Sequence, residues 1–299
     1  MAACVYSPRC RTLTALLCSS FNPNQCTMNY TSLYMFVKLC SSRVCHSNQD
    51  DLWLKIQEES RLDTEQEPTL FDYYHSSVLS HDSLENALSS TLAVKLSNSN
   101  ISKATLFEIF CSAFAEDDIK KAIRDDLRGV RERDPACISY VHCFLHFKGF
   151  LSCQAHRAAH KLWTQGRTNL ALLIQSRVSE AFAVDIHPGA KIGCAIMFDH
   201  ATGIVIGETA VIGDNVTILH NATLGSTGKE AGERHPKIGN GVFIGAGSKV
   251  LGNIRIGEGA KIGAGSVVLK DLPPNCTAVG NPARLVESKR VTLYETKAT

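Results

Sequence analysis

KIGNGVFIGAGSKVLGNIRIGEGAKIGAGSVV, residues 237–268, returns an aliphatic residue at every sixth position: Ile238, Ile244, Val250, Ile256, Ile262 and Val268. Upstream the same period runs through Ile206, Ile212, Ile218 and Leu224, and before that through Ile186, Ile192 and Phe198. Four places after an anchor the residue is small or β-branched, as at Ala190, Ala210, Val216, Ala222, Val242, Ser248, Ala260 and Ser266. Period six is neither the 3.6 of a helix nor the 2 of an ordinary strand. It belongs to a parallel β-helix, in which each hexad forms one short side of a coil and the next turns the corner. Coils stacked about 4.8 Å apart would bury the anchors as a continuous aliphatic column. Thirteen anchors at three per coil predict slightly more than four coils.

Two interruptions break the register. From Phe198 to Ile206 the spacing is eight, a slip of two residues around Thr202-Gly-Ile-Val205. From Leu224 to Ile238 it is fourteen, so Gly225 to Lys237 is expected to leave the coil as a loop. Solenoid insertions gather on one face, often the one that binds.

Working outward, residues 50–182 read as a helical domain, and the boundary falls near residue 183, where Asp185-Ile-His-Pro188 cannot continue a helix. Asp50-Asp51 opens the first helix and Glu67-Pro68 stops it. Others are expected from Ser83, from Thr105, over Asp117–Arg133, over Ile138–Trp163 and over Leu170–Phe182. The coil would occupy 183–286 and leave a short tail over 287–299. Residues 1–49 contain no acidic residue, four basic ones, and six of the twelve cysteines, with many Ser and Thr. This composition reads as an organellar transit segment, plastid or mitochondrial. Beyond it, basic and acidic residues nearly balance, which points away from nucleic acid and anionic membrane, and no run is long enough to span a bilayer. The remaining cysteines lack metal spacing and read as reduced, buried thiols.

The inserted motifs are more specific than the repeat. Asp185-Ile-His-Pro188, Asp199-His-Ala-Thr-Gly203, Gly207-Glu-Thr209, Thr223-Leu-Gly225 and Arg234-His-Pro-Lys-Ile238 resemble those of the serine O-acetyltransferase family. So do Arg133-Asp-Pro-Ala136, Phe147-Lys-Gly-Phe150 and Gln154-Ala-His-Arg157 in the helical part. The resemblance covers about residues 50–286 and implies an α+β chain, a helical domain followed by a left-handed parallel β-helix. It implies acetyl transfer from acetyl-CoA to the L-serine hydroxyl, with no bound cofactor and no metal. It also implies homotrimers joined as a hexamer, and inhibition by cysteine at the serine site.

An alcohol needs a base to attack a thioester, and His is the side chain whose ordinary pKa suits that task. The resemblance gives this role to His200, with Asp185 holding its other ring nitrogen, and places His235 beside the reacting hydroxyl or carbonyl. Without the motif, His200 would read as a solvated turn residue and Asp185 as a cap. Arg234 suits the serine carboxylate, and Asp134 and Asp199 its ammonium. For acetyl-CoA, Gly225 resembles the position whose amide faces the thioester, with Ser226 beside it. Ala246 and Ala264, in Gly-Ala-Gly triplets one coil apart, would flank the pantetheine groove. Glycine at hexad corners has a structural explanation of its own, since corners favour it with or without a ligand.

Three departures from the family pattern stand out. Ser226 replaces a second Gly, and a Cβ would cost roughly 1 kcal/mol there if φ must be positive. Glu233 replaces a shorter Asp beside Arg234. The sequence stops at Thr-Lys-Ala-Thr299, without the Ile-ending tail that the family inserts into O-acetylserine sulfhydrylase, so that partnership is doubtful. The alternatives are a weakly active assembly subunit, transfer to another acceptor such as a sugar or homoserine, and a metal-dependent hydratase of the γ-carbonic anhydrase type using His187, His200, His220 and His235.

Overall fold

The computed structural model describes residues 50–228 and 231–286; the expected leader and tail lie outside the described residues. Helix α1 spans Asp51–Gln66 and stops before Pro68, followed by short helical turns as far as Leu79. Helices α2, Leu84–Leu96, and α3, Lys103–Phe114, each begin at a serine whose hydroxyl accepts a first-turn amide. Ser83 takes Asn86 N at 3.2 Å and Ser102 takes Thr105 N at 3.1 Å. A cap of this kind is worth about 1 kcal/mol. Helix α4, Asp117–Arg133, has acids in its first turn and Arg131 and Arg133 in its last, which suits the helix dipole.

The single helix expected over 138–163 is two, α5 at Tyr140–His146 and α6 at Lys148–Thr164, broken at an extended Phe147. The break aims the start of α6 straight at the coil. Gly149 lies so close that a Cβ there would sit 2.0 Å from the Phe198 carbonyl oxygen. Helix α7, Thr168–Phe182, ends at Ala183 in the left-handed region with φ 56°, and the chain enters its first strand at Asp185.

The hexads form a three-faced parallel coil. The first face stacks Asp185–Ile186, Val205–Ile206, Thr223–Gly225, Lys249–Leu251 and Val267–Val268. The second stacks Lys191–Ile192, Val211–Ile212, Lys237–Ile238 and Arg255–Ile256. The third stacks Met197–Asp199, Thr217–Leu219, Phe243–Ile244, Lys261–Ile262 and Thr277–Gly280. Anchors meet anchors: Ile186 pairs with Ile206, Ile206 with Leu224, Leu224 with Val250 and Val250 with Val268. All but Ile192 are buried, and burying such a side chain stabilises by roughly 1.5–3 kcal/mol. The column outlasts the thirteen anchors, because Leu272 bridges to Ile256 and Ala278 stacks under Ile262. The last strand then turns back against Ala283–Leu285, antiparallel.

Both interruptions have a physical place. The extra two residues widen a corner, where His200, Ala201 and Gly203 have φ of 55°, 58° and 76°. At the other, Gly225 and Lys237 stay in strands, so the interruption is shorter at both ends than expected.

The helices and the coil pack as one compact unit through a fully buried carboxylate. Asp126, on α4, accepts Gln154 Nε2 at 2.8 Å and Arg157 Nε and Nη2 at 3.0 and 2.7 Å, both from α6. Its other oxygen accepts the Ile196 amide of the first coil at 2.8 Å, and Arg157 Nη2 also reaches the Gly193 carbonyl at 2.7 Å. Removing one partner of a buried ion pair strands the other, which costs about 3–5 kcal/mol. Asp126→Ala is therefore expected to lower unfolding free energy by about that amount in chemical denaturation.

Close by, His156 is buried, its Nδ1 without a partner among the described residues, and burial, then His160 and Arg157, push its pKa down to about 3. The unfolded chain takes up that proton near pH 6.5 and the folded one near 3, so the unfolded state binds more protons in between. Stability is full above about pH 6.5 and falls as pH drops toward 3. His156→Phe should flatten this acid limb in denaturation series between pH 7.5 and 5, whatever it does to absolute stability.

Candidate active site

The corners of the coil carry most of the candidate residues and divide them between two edges. The edge joining the third face to the first holds His200, His220, Ala246 and Ala264 in successive coils. Backbone bonds stack it: Asn221 N to Thr202 O at 2.8 Å, Gly247 N to His220 O at 2.9 Å, and Gly265 N to Ala246 O at 2.8 Å. The edge joining the first face to the second holds His187, Glu208, Thr209, Gly225, Ser226 and the returning Arg234-His235.

On the first of these edges, a cavity of about 360 Å³ opens between the coil and the helices, lined by Asp134, His142, His146, Lys148, Asp199 and His200 among others. The structure thus brings together three of the residues read from the sequence. Asp134 is the C-cap of α4, and its Oδ1 accepts Ala136 N at 2.8 Å. The preceding Arg133 fixes where that loop lies. Its guanidinium donates to Asn215 O at 2.9 Å, to Thr217 Oγ1 at 3.0 Å and to the Ala195 carbonyl, gripping two coils at once. Burial holds the Arg133 pKa below its usual range.

His200 is exposed, and its Nε2 lies 3.8 Å from Asp199 Oδ1. Its ring meets the edge of His220 at 5.6 Å. No hydrogen bond among the described residues joins it to Asp185, whose Oδ1 instead accepts Gln175 Nε2 of α7 at 2.6 Å. Within one copy of the chain, the carboxylate beside the imidazole is that of Asp199. His200 and Ala201 are successive non-glycine residues in the left-handed region, a strain of roughly 1–2 kcal/mol each. Such strain turns the imidazole outward at the mouth of the cavity.

The second edge is knotted around Thr209. Its Oγ1 lies 3.1 Å from both Arg234 N and His235 N and 2.9 Å from His235 Nδ1, and its amide donates to the same Nδ1 at 3.1 Å. Arg234 Nη2 pairs with Glu208 Oε2 at 2.6 Å, which holds the Glu208 carboxyl below its usual range. Glu233 pairs with Lys237 and not with Arg234. Gly207 is required here, because a Cβ would lie 2.0 Å from His235 Nε2. Burial, and next the Arg234 cation, lower the His235 pKa and favour neutral imidazole.

Gly225 ends a first-face strand opposite Leu251. Ser226 is not among the residues of positive φ, so the strain expected of its Cβ is absent; its hydroxyl donates to Gly228 O at 3.3 Å. Gly247 and Gly265 do have positive φ, 71° and 69°, and a Cβ at either would meet nothing within 4 Å. Corner conformation explains these two glycines by itself, and Ala246 and Ala264 lie between corner glycines on the His200 edge.

Residues 52–155 match the family described as "Serine acetyltransferase, N-terminal", and 235–270 match "Bacterial transferase hexapeptide (six repeats)". The chain is 65% identical to serine acetyltransferase 1, chloroplastic, of Arabidopsis thaliana, covering 81% of this chain and 77% of that protein. The chain belongs to the serine acetyltransferase family. It is 67% identical to serine acetyltransferase 3, mitochondrial, of the same plant, over 80% of this chain, and spans 62% of that relative's length. Soybean serine acetyltransferase complexed with serine superposes with a TM-score of 0.79 at 58% identity, covering 81% of this chain and all of that one. The Brucella abortus enzyme in complex with coenzyme A gives 0.78 at 45%, covering 80% and 96%.

Sequence reasoning passed over Arg133, Glu208 and Thr209 as site residues although it quoted the motifs that contain them. Only Arg133, next to Asp134 in a last helical turn, carried a local signal. Arg133→Lys keeps the charge and loses the fork. The amides of residues 134–139 are expected to exchange with solvent at least tenfold faster in this variant, while those of the coil core stay protected.

Proposed function

We propose that the chain transfers the acetyl group of acetyl-CoA to the L-serine hydroxyl, giving O-acetylserine and CoA on the route to cysteine. The observation that carries this reading is the cavity lined by two carboxylates, Asp134 and Asp199, and by the outward imidazole of His200. Two carboxylates suit an ammonium, and an imidazole beside them suits the hydroxyl three bonds away from it. His200 takes the hydroxyl proton as the serine oxygen attacks the thioester carbon. The C–S bond then breaks, and the leaving thiolate takes the proton back from the imidazolium. Asp199 or Asp185 stabilises that imidazolium, Asp185 only if released from Gln175 or offered by a neighbouring copy.

The serine carboxylate calls for Arg234, whose guanidinium keeps donors free after its pair with Glu208. A carboxylate, an ammonium and a hydroxyl together describe a small amino acid, not a sugar. Arg234 lies on the other edge of the coil, so we place the complete site between two copies of a trimer, one edge from each. The relatives solved with serine and with coenzyme A support the two substrates. The acetyl-CoA arm would run along the His200 edge past Ala246 and Ala264. The acid-free residues 1–49 and the organellar names of the relatives support a plastid or a mitochondrion as the compartment. Among the described residues no helix is long and apolar enough to cross a membrane.

The test is CoA release by the full chain with acetyl-CoA and serine. Serine-dependent release should fall about 10²–10⁴-fold in His200→Ala with the fold intact. Release that is indifferent to serine, or that survives the substitution, would sink the reading.

A further inference from the structure

The knot on the second edge determines which nitrogen of His235 carries a proton. A backbone N–H can only donate, so the Thr209 amide at 3.1 Å requires Nδ1 to be an acceptor. Thr209 Oγ1 already faces two further donors, Arg234 N and His235 N, each at 3.1 Å. Its two lone pairs take those, and its own hydrogen is left to point at Nδ1, 2.9 Å away. The amide and the hydroxyl then share the one lone pair of Nδ1. The neutral ring must carry its proton on Nε2, and protonating Nδ1 as well would set that hydrogen against two others. Among the described residues Nε2 itself has no hydrogen-bond partner, so this N–H remains available to a ligand. The same hydroxyl fixes the backbone of Arg234, so one side chain sets both groups on this edge.

We propose that Thr209 is a positioning residue that locks His235 as a neutral Nε2–H donor, so that His235 serves acetyl transfer by hydrogen bonding to the substrate oxygen and not as a second base. The inference rests on the site reading above, with His200 as the base. In the transfer the serine proton goes to His200 and returns to the CoA sulfur. His235 keeps its own proton throughout and stabilises the oxygen on which negative charge develops. A second imidazole able to titrate at the site would compete for the serine proton, and the knot removes that option. Lys237, whose ammonium donates to the Thr209 carbonyl, holds the turn from behind.

Full-length Thr209→Val and Thr209→Ser, with His235→Ala beside them, test this. Valine keeps the shape and the amide but loses the hydroxyl. It should lower kcat about 10- to 100-fold and raise the serine KM several-fold, leaving the acetyl-CoA KM unchanged. With the hydroxyl gone, one donor in place of two opposes a proton on Nδ1, so the acid limb of its pH profile should move to higher pH. Serine at 209 should restore kinetics to within about threefold. The readout independent of turnover is the ¹⁵N spectrum of the His235 ring, which should show an unprotonated Nδ1 in the native protein and, with the amide as its one remaining donor, a still unprotonated Nδ1 at a changed shift in the valine variant. A protonated Nδ1 in the native protein overturns the inference whatever the activity. So does a valine variant with native kinetics and pH profile while His235→Ala is impaired. Equal impairment of the valine and serine variants with a lowered Tm would reduce Thr209 to a structural residue. If His235→Ala itself turns over normally, the site reading fails along with the inference.

Discussion

One carboxylate holds this molecule in a working shape. Asp126 has no exposed surface, and it ties α4, α6 and the first coil together through four nitrogen donors. A stack of hexads is nearly one-dimensional, each coil touching only its neighbours, so its open first coil needs a cap. The helices supply that cap, and a buried ionic joint does what apolar contact alone does poorly: it fixes angle and register as well as contact. The cavity beside His200 exists because the end of α4 is delivered against the coil in one orientation. Arg133, about two turns further along the same helix, continues the same logic toward the site.

Two kinds of geometry meet at the candidate site. The first edge is built by strain, with two β-carbon-bearing residues in left-handed conformation turning His200 outward. The second is built by saturation, with Thr209 filling every lone pair and hydrogen it has. Strain suits a group that must be presented and must exchange protons. Saturation suits a group that must stay in one protonation state. The different surroundings of the two histidines therefore fit different work, although their side chains are chemically the same.

The hexads were legible because an inward residue every sixth position has no other economical explanation, and both breaks in the register could be located from spacing alone. The amphipathic stretch ending at Arg133 was legible for a related reason, its apolar residues lying on one helical stripe. The break at Phe147 was not, because nothing in the local sequence forbids a helix there; the close approach of Gly149 to Phe198 imposes it. For the same reason the end of the column was missed: Leu272 and Ala278 continue it out of period, and only the stacking reveals them. Among site residues, the identities of Asp134, Asp199 and His200 could be read from motifs, and their convergence is a property of the docked helices. The partner of Asp185 was not legible, since Gln175 sits on another element ten residues earlier. The expected strain at Ser226 failed because it assumed a backbone conformation that the turn does not adopt.

Under the proposed assembly between copies, the division of the candidate residues between two edges has a genetic consequence. His200 and Arg234 lie on different corners of the same chain, and a site assembled from corners of different copies does not need both to be sound in either one. A chain disabled at His200 and a chain disabled at Arg234, mixed in one assembly, would form an interface in which the intact corner of each faces the other. The same two lesions placed in a single chain would leave no such interface. Inheritance of defects in this protein would then depend on which corner each lesion occupies, and two inactive alleles could together support growth.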